Sequence, residues 1–339
     1  MLKKILIAIV AILAIGLVLG RNYYTSNVKL TEKQFLYIPT GSNFEQLKQL
    51  LQKGDFLKDL SSFESLASKM GYANKVKPGR YEVQPGMSNW TLIRMLRSGN
   101  QKPVKLVINK YRLERDLAGK IGRTLEADSN EVLKLMNDNV YLKQFGLDSN
   151  TSIAAFMPNT YEFYWNTPAA KVFEKIAENY KKYWTSARVV QAKAQNLTPA
   201  QAVTLASIVE EETNNVKEKP TVASVYLNRL RKGIKLDADP TCKFAVGDFS
   251  IKRVLTKHTQ YASPYNTYLN AGLPPGPICT PSESSIEAVL NPASTNYLFF
   301  CAHENMKQEH KFAETYAEHQ QNAERYQAAL TEYLKNKKK

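Results

Sequence analysis

Cysteine and histidine are scarce in this 339-residue chain, which has three of the first and four of the second. Cys242, Cys279 and Cys301 stand far apart, with no metal-ligand spacing between them. An odd number of cysteines argues against a disulfide framework, so each is expected to act as a small apolar filler. His310 and His319 belong to no complete set of ligands and are read as packing or hydrogen-bonding residues, so no metal and no cofactor is expected. Acidic residues are also few, 31 Asp and Glu against 46 Lys and Arg, which leaves a net charge of +15. Such a charge suggests nucleic acid first, but here it is spread along the chain. The one dense run, Lys335-Asn336-Lys337-Lys338-Lys339, reads as a solvated tail, and no nucleic-acid partner is expected.

One long apolar run is present. Lys3 and Lys4 precede an unbroken apolar stretch from Ile5 to Gly20, followed by Arg21-Asn22-Tyr23-Tyr24. At 1.5 Å per residue the stretch covers roughly 24 Å, a little short of a hydrocarbon core. A cleaved signal peptide and an uncleaved anchor both fit that length. The segment Ile15-Gly16-Leu17-Val18-Leu19-Gly20 shows no small-x-small cleavage site, and no cysteine follows it to carry a lipid. Lysines before the run and aromatics after it suit a single span with its amino terminus in the cytoplasm and the rest of the chain outside.

Three regions are expected: residues 1–24 as cytoplasmic stub and transmembrane anchor, 28–103 as a small module, and 104–339 as a larger mixed α+β domain ending in a helix. In the module, Gln34–Ile38 reads as a strand, Phe44, Leu47, Leu50 and Leu51 mark one helix, and Phe63, Leu66, Ala67 and Met70 mark a second. Gly79-Arg80-Tyr81-Glu82-Val83 returns as a strand. This β-α-α-β order resembles a LysM module, a small peptidoglycan-binding fold; a domain that only supports the larger half is the plainer reading. Pro39-Thr40-Gly41-Ser42-Asn43-Phe44 is echoed by Pro85-Gly86-Met87-Ser88-Asn89-Trp90, each a strand-turn-helix entry with Ser or Asn as N-cap. In the larger domain, Val104–Ile108 and Tyr297–Cys301 read as strands, Leu113 to Leu125 and Val172–Trp184 as helices, and Tyr261 to Pro281 as loop.

Chemistry concentrates at Leu205-Ala206-Ser207-Ile208-Val209-Glu210-Glu211-Glu212-Thr213. Thr198-Pro199-Ala200-Gln201 supplies the N-cap Thr, N1 Pro and N3 Gln of a capping box. The helix that follows is apolar until its last turn carries three carboxylates. A carboxyl kept partly dry has a raised pKa, as a general acid working near neutral pH requires; a core helix turning polar as it meets solvent gives the same pattern. Successive residues turn by about 100°, so the three carboxylates do not face one another as a pair.

Other motifs follow in order. Ala206-Ser207-Ile208-Val209-Glu210-Glu211-Glu212-Thr213 resembles ASIVEKET, and Val222-Ala223-Ser224-Val225-Tyr226-Leu227-Asn228-Arg229-Leu230 resembles VASVFxNRL. Leu236-Asp237-Ala238-Asp239-Pro240-Thr241 is similar to LxSDPT, Ser263-Pro264-Tyr265-Asn266-Thr267-Tyr268 to SPYNTY, and Gly272-Leu273-Pro274-Pro275-Gly276-Pro277-Ile278 to GLPPGPI. Phe156-Met157-Pro158-Asn159-Thr160-Tyr161 resembles FPDTY with Asn for Asp, and Ala154-Ala155 stands where Glu-Gly is usual. With His310-Lys311-Phe312 and His319, the series spans about Lys105 to His319 and resembles the endolytic murein transglycosylases of the YceG-like, MltG type.

The resemblance implies a membrane-anchored enzyme on the outer face of the cell (inner) membrane. It would cut the MurNAc–GlcNAc β-1,4 bond of nascent peptidoglycan strands and leave 1,6-anhydroMurNAc ends, close to cell-wall synthases. It places the catalytic acid/base on Glu210. The C6 hydroxyl of the sugar is the nucleophile and gains its advantage from proximity, so one carboxylate suffices. Tyr265, Asn266, Tyr268, Asp239, Thr241 and Glu212 are the expected substrate contacts, with Glu212 alternatively a partner of Arg229 or of a loop amide. Arg229 has Asp237 and Asp239 as its own candidate partners. Two other readings stand beside this one: a muramidase using Asp237 or Asp239 as its second carboxylate, and a non-catalytic wall-binding scaffold.

Overall fold

The computed structural model describes residues 23–337, so the anchor expected over the first residues lies outside the described residues. Among the described residues no helix is long and apolar enough to cross a membrane. The elements run β1 (Gln34–Ile38), α1 (Phe44–Lys53), α2 (Leu60–Lys69), β2 (Gly79–Val83), α3 (Asn89–Ser98), β3 (Val104–Ile108), α4 (Glu114–Thr124), α5 (Ser129–Met136) and α6 (Asn139–Lys143). A 3-10 turn (Ser152–Ala155) leads to β4 (Asn159–Phe163), α7 (Ala169–Tyr183), α8 (Ser186–Ala194), α9 (Pro199–Glu212), α10 (Lys219–Arg231) and α11 (Asp239–Val246). The chain finishes with α12 (Thr256–Thr259), α13 (Glu283–Leu290), β5 (Phe299–Ala302), β6 (His310–Ala313) and α14 (Tyr316–Lys337). The class is mixed α+β, with three two-stranded sheets among the described residues.

The chain forms two compact units. The first takes residues up to Leu106 together with Gly122–Ala127 and Glu162–Pro168, so the divide runs through strands β3 and β4. In this unit β1 and β2 pair antiparallel, Gln34 opposite Val83 and Ile38 opposite Gly79. Their period-2 pattern turns Leu36, Ile38, Tyr81 and Val83 inward. Leu47 and Leu51 of α1, Phe63 and Leu66 of α2, and Leu92, Ile93 and Leu96 of α3 complete one apolar core. The β-α-α-β order read from the sequence is therefore present. The sequence echo is present too, shifted by one residue: Asn43 caps α1 with a full capping box, whereas Ser88 caps α3. Gly41 and Gly86, the turn glycines ahead of these caps, both sit at positive φ, 81° and 76°.

The second unit holds Val107–Ile121, Asp128–Tyr161 and everything from Ala169 on, and is built around α9. Thr198 and Gln201 make the reciprocal capping box, Gln201 N–H to Thr198 Oγ1 at 3.3 Å and Thr198 N–H to Gln201 Oε1 at 2.9 Å. Every residue from Ala202 to Val209 is buried, so α9 is an axial core helix rather than an amphipathic one. Its two buried hydroxyls return to its own backbone, Thr204 to Ala200 O and Ser207 to Thr204 O, and Ser207 also accepts the Ile278 N–H at 2.9 Å. α10, α11 and α13 pack around it, and β5 pairs antiparallel with β6, with Phe300 opposite Phe312 and Ala302 opposite His310.

Candidate active site

The three carboxylates at the end of α9 enter three different environments. Glu210 Oε2 accepts from Lys219 Nζ at 2.8 Å, Ser282 Oγ at 2.5 Å and Ser285 Oγ at 2.6 Å. Lys219, at the start of α10, is 4 % exposed and also donates to Ser282 and Ser284. Burial works to raise the Glu210 carboxyl, but the hydrogen bonds from Lys219, Ser282 and Ser285 and the lysine charge outweigh it and hold the group below the usual carboxylate value. This arrangement is an ionised knot tying α9 to α10 and α13. Glu211 is likewise neutralised. Arg112 grips it with both nitrogens, Nε to Oε1 at 3.0 Å and Nη2 to Oε2 at 2.7 Å, and Lys110 stands 3.3 Å away. Burial is again overcome, and its pKa is lowered.

Among the described residues Glu212 has no ion-pair partner within salt-bridge distance. Its Oε1 accepts from the Tyr226 hydroxyl at 2.5 Å, two turns into α10. Burial pushes its carboxyl up to about 7; the Tyr226 hydrogen bond and Lys243 oppose that rise, while the charges of Asp239 and Glu211 add to it. Of the three carboxyls, this is the one whose pKa is raised rather than lowered.

Glu212 opens on a cavity of about 390 Å³ with Tyr226, Arg229, Asp239, Tyr268 and His319 around it, and Phe299, Phe300 and Tyr316 contribute aromatic faces. Asp239 begins α11 and accepts from the Tyr268 hydroxyl at 2.7 Å. Arg229 belongs to the wall. Its guanidinium donates to Leu298 O at 2.7 Å, Leu236 O at 2.9 Å, Lys235 O at 3.0 Å and Asp237 Oδ2 at 3.0 Å, and it lies over the Phe299 ring. Arg229 thus pairs with Asp237, not with Asp239 or Glu212. His319 stacks on Phe299 at 5.5 Å. A second cavity of about 510 Å³, which Glu212 also lines, is polar: Asn214, Asn215, Lys307, Gln308 and His310 surround it.

The other expected contacts divide. Tyr268 and Asp239 share the cavity with Glu212. Tyr265 does not: it packs on Phe244 at 4.7 Å and lines a separate hollow beside Arg112 and Glu114. Asn266 and Thr241 are 0 % exposed and serve the interior. The Asn266 amide donates to the carbonyls of Thr259 and Tyr261 and accepts from the Tyr268 N–H, which ties the 258–268 loop together. Thr241 bonds Ala238 O and Thr267 Oγ1. The polar atoms of Asn266 and Thr241 are thus engaged inside the protein, away from the cavity that Glu212 lines. All three cysteines are free, and Cys242 and Cys279 are buried as expected of fillers. Among the described residues no group of three His, Cys, Asp or Glu side chains is placed to hold a metal ion.

Tyr226, Lys219 and Arg112 decide what the three carboxylates do, and sequence reasoning does not single them out as site residues. A partial signal exists. Lys219 directly precedes Pro220-Thr221-Val222-Ala223, the start of an apolar helix that buries it, and Tyr226 lies inside the VASVFxNRL-like motif.

The sequence profile described as the YceG-like family matches residues 36–325, most of the chain. The chain belongs to the YceG-like family. It is 29 % identical over 316 residues to a protein named endolytic murein transglycosylase from Bacillus subtilis (strain 168), covering 87 % of this chain and 85 % of that one. A protein of the same name from Streptococcus pneumoniae serotype 2 is 26 % identical over 301 residues; the match covers 78 % of this chain and 53 % of that longer protein. The crystal structure of a yceG-like protein from Listeria monocytogenes superimposes with a TM-score of 0.58 at 30 % identity, covering 86 % of this chain and 99 % of that one.

Proposed function

We propose that the chain is a lytic transglycosylase that cuts peptidoglycan glycan strands internally, with Glu212 rather than Glu210 as its general acid. The observation that carries this is the division of the three carboxylates: Glu210 and Glu211 are held ionised by cations, while Glu212, with a pKa raised to about 7, lines an aromatic-walled cavity. An acid with that pKa is half protonated near neutral pH, where general-acid catalysis is most effective. The names of the relatives support murein as the substrate class.

Glu212 Oε2 donates its proton to the oxygen linking MurNAc C1 to GlcNAc C4. As that C–O bond breaks, the C6 hydroxyl of the same MurNAc forms a bond to C1 and closes the 1,6-anhydro ring. In the one-carboxylate cycle the Glu212 carboxylate then takes the hydroxyl proton, and no water is consumed. Tyr226 holds Oε1, so a single oxygen is left to face the sugar. The aromatic faces of Phe299, Phe300 and Tyr316 suit the apolar face of a pyranose, and Tyr268 with Asp239 offers a hydroxyl and a carboxylate to its hydroxyls. The β-α-α-β module is proposed as a LysM-like contact to the same polymer. The apolar amino-terminal run is proposed as the anchor that keeps the site on the outer face of the membrane, near the synthases that make nascent strands.

Asp239 in the same cavity favours a second reading, a muramidase in which it activates water opposite Glu212. Digesting peptidoglycan with the full-length protein and weighing the products separates the two. Ends lighter by one water support the transglycosylase, reducing ends replace it by the muramidase, and full activity in Glu212→Gln overturns the site.

A further inference from the structure

Beyond Glu212, one titratable pair at the site has no part in the cycle above. Glu218, at the N-terminal edge of α10, directs both carboxylate oxygens at one residue: Oε1 accepts the His310 N–H at 2.8 Å, and Oε2 meets His310 Nδ1 at 3.1 Å. The Thr213 hydroxyl, one residue beyond Glu212, donates to the same Oε2 at 3.3 Å. One carboxylate therefore fixes the end of the Glu212 helix, the first residue of β6 and the tautomer of an imidazole. With Nδ1–H committed to Glu218, Nε2 is the acceptor and lies on the ring edge turned away from it. The His310 side chain is 17 % exposed, and His310 lines the polar cavity that Glu212 also lines, together with Asn214, Asn215, Lys307 and Glu309. Its ring packs edge-on against Phe300 at 5.3 Å, and Phe300 packs edge-on against Tyr226, the hydroxyl that holds Glu212. A base that shares a cavity with the acid and is oriented in turn by a third group is the recurring arrangement for activating a hydroxyl.

We propose that His310, oriented by Glu218, is a second proton-transfer residue of this site and accepts at Nε2 the proton of the hydroxyl that attacks C1. The inference rests on Glu212 being the acid and divides the cycle between two groups. Glu212 gives its proton to the leaving O4 as the C1–O4 bond breaks. O6 forms its bond to C1 and passes its proton to Nε2. Solvent then removes a proton from the imidazolium and restores one to Glu212, so the net reaction consumes no water. This relieves Glu212 Oε2, the one oxygen not held by Tyr226, of both donating and accepting within a single turnover.

His310→Asn is the decisive variant, because its amide retains a donor toward Glu218 but has no counterpart of Nε2. In the full-length protein digesting peptidoglycan, kcat falls at least about 100-fold, the scale of general-base catalysis, while KM stays within about threefold. Added imidazole restores part of the rate to His310→Gly, which a merely structural histidine would not allow. If His310→Asn melts below the assay temperature, Glu218→Gln is read instead. It leaves the imidazole in place and lowers kcat about tenfold or more at unchanged KM. A kcat within fivefold of wild type in whichever of these variants folds, or a loss confined to KM, overturns the proposal. These results are read beside Glu212→Gln: if that variant is inert while His310→Asn turns over normally, the dyad fails and the acid stands; if Glu212→Gln is fully active, the site reading itself falls.

Discussion

Exchanging the amide for the acid at Glu210 and at Glu212 should give opposite results, and both sizes follow from the geometry. Lys219 is 4 % exposed, and among the described residues its carboxylate partner is Glu210 at 2.8 Å. Glu210→Gln keeps an oxygen for the Ser282 and Ser285 hydroxyls but leaves a buried ammonium without that counter-charge. Breaking a buried pair from one side costs about 3 kcal/mol or more, and for a unit of this size each kcal/mol lowers Tm by about 2–4 °C. Glu210→Gln is therefore expected to melt roughly 6–12 °C below wild type and, below that temperature, to cleave peptidoglycan at a rate per folded molecule within a few-fold of wild type.

Glu212→Gln should do the reverse. The folded pKa of about 7 lies above the ordinary 4.5, so the folded state binds the Glu212 proton more tightly than the unfolded one. Stability then falls as pH rises from about 4.5 to about 7 and levels off above, a total of roughly 3 kcal/mol at 1.36 kcal/mol per pH unit. A glutamine carries no such penalty, so at about pH 8 Glu212→Gln should melt no lower than wild type while kcat drops about 100-fold or more. Differential scanning calorimetry at about pH 5 and about pH 8, on either side of that titration, paired with product release from purified peptidoglycan, reads both effects. An inactive Glu210→Gln of normal Tm beside an active Glu212→Gln would refute the assignment.

Three further expectations follow from neighbouring contacts. Tyr226→Phe removes the donor that opposes the rise of the Glu212 pKa, so the basic limb of the kcat profile, near pH 7 in wild type, moves to higher pH and stability falls by about 1–2 kcal/mol; an unmoved limb counts against Glu212 as the titrating acid. Arg112→Ala leaves Glu211 with Lys110 alone, and because Arg112 is 37 % exposed the loss after solvent screening is about 1 kcal/mol in a denaturant melt, with activity retained per folded molecule. Arg229→Lys cannot serve four acceptors with one ammonium and should cost about 2 kcal/mol in the same melt. Steady-state kinetics should show its KM raised, since two of the carbonyls it releases belong to Leu236 and Leu298 in the cavity wall.

Local structure is legible wherever one segment determines itself. The capping box of Thr198 and Gln201, the period-2 strands on either side of the two module helices, and the loop from Tyr261 to Pro281 all depend on neighbours in sequence, and the structure contains each of them. The roles of the carboxylates are of another kind. Helical geometry separates Glu210, Glu211 and Glu212 by about 100° steps but leaves open which direction meets a cation. Lys219 reaches Glu210 because α10 folds back along α9, and Arg112 reaches Glu211 from 99 residues upstream. The polar residues of the SPYNTY-like motif are ambiguous for a related reason: composition marks Asn266 as a good sugar ligand and equally as a good loop organiser, and only the fold shows the three loop carbonyls to which its amide donates. The same physics explains why an acid can sit beside two ionised carboxylates and keep its proton. Lys219, Arg112 and Lys110 neutralise Glu210 and Glu211 locally, so the end of α9 tolerates three carboxyls pointing in three directions. The one with no direct ion pair among the described residues is the one that burial drives toward neutrality, and it lines the cavity.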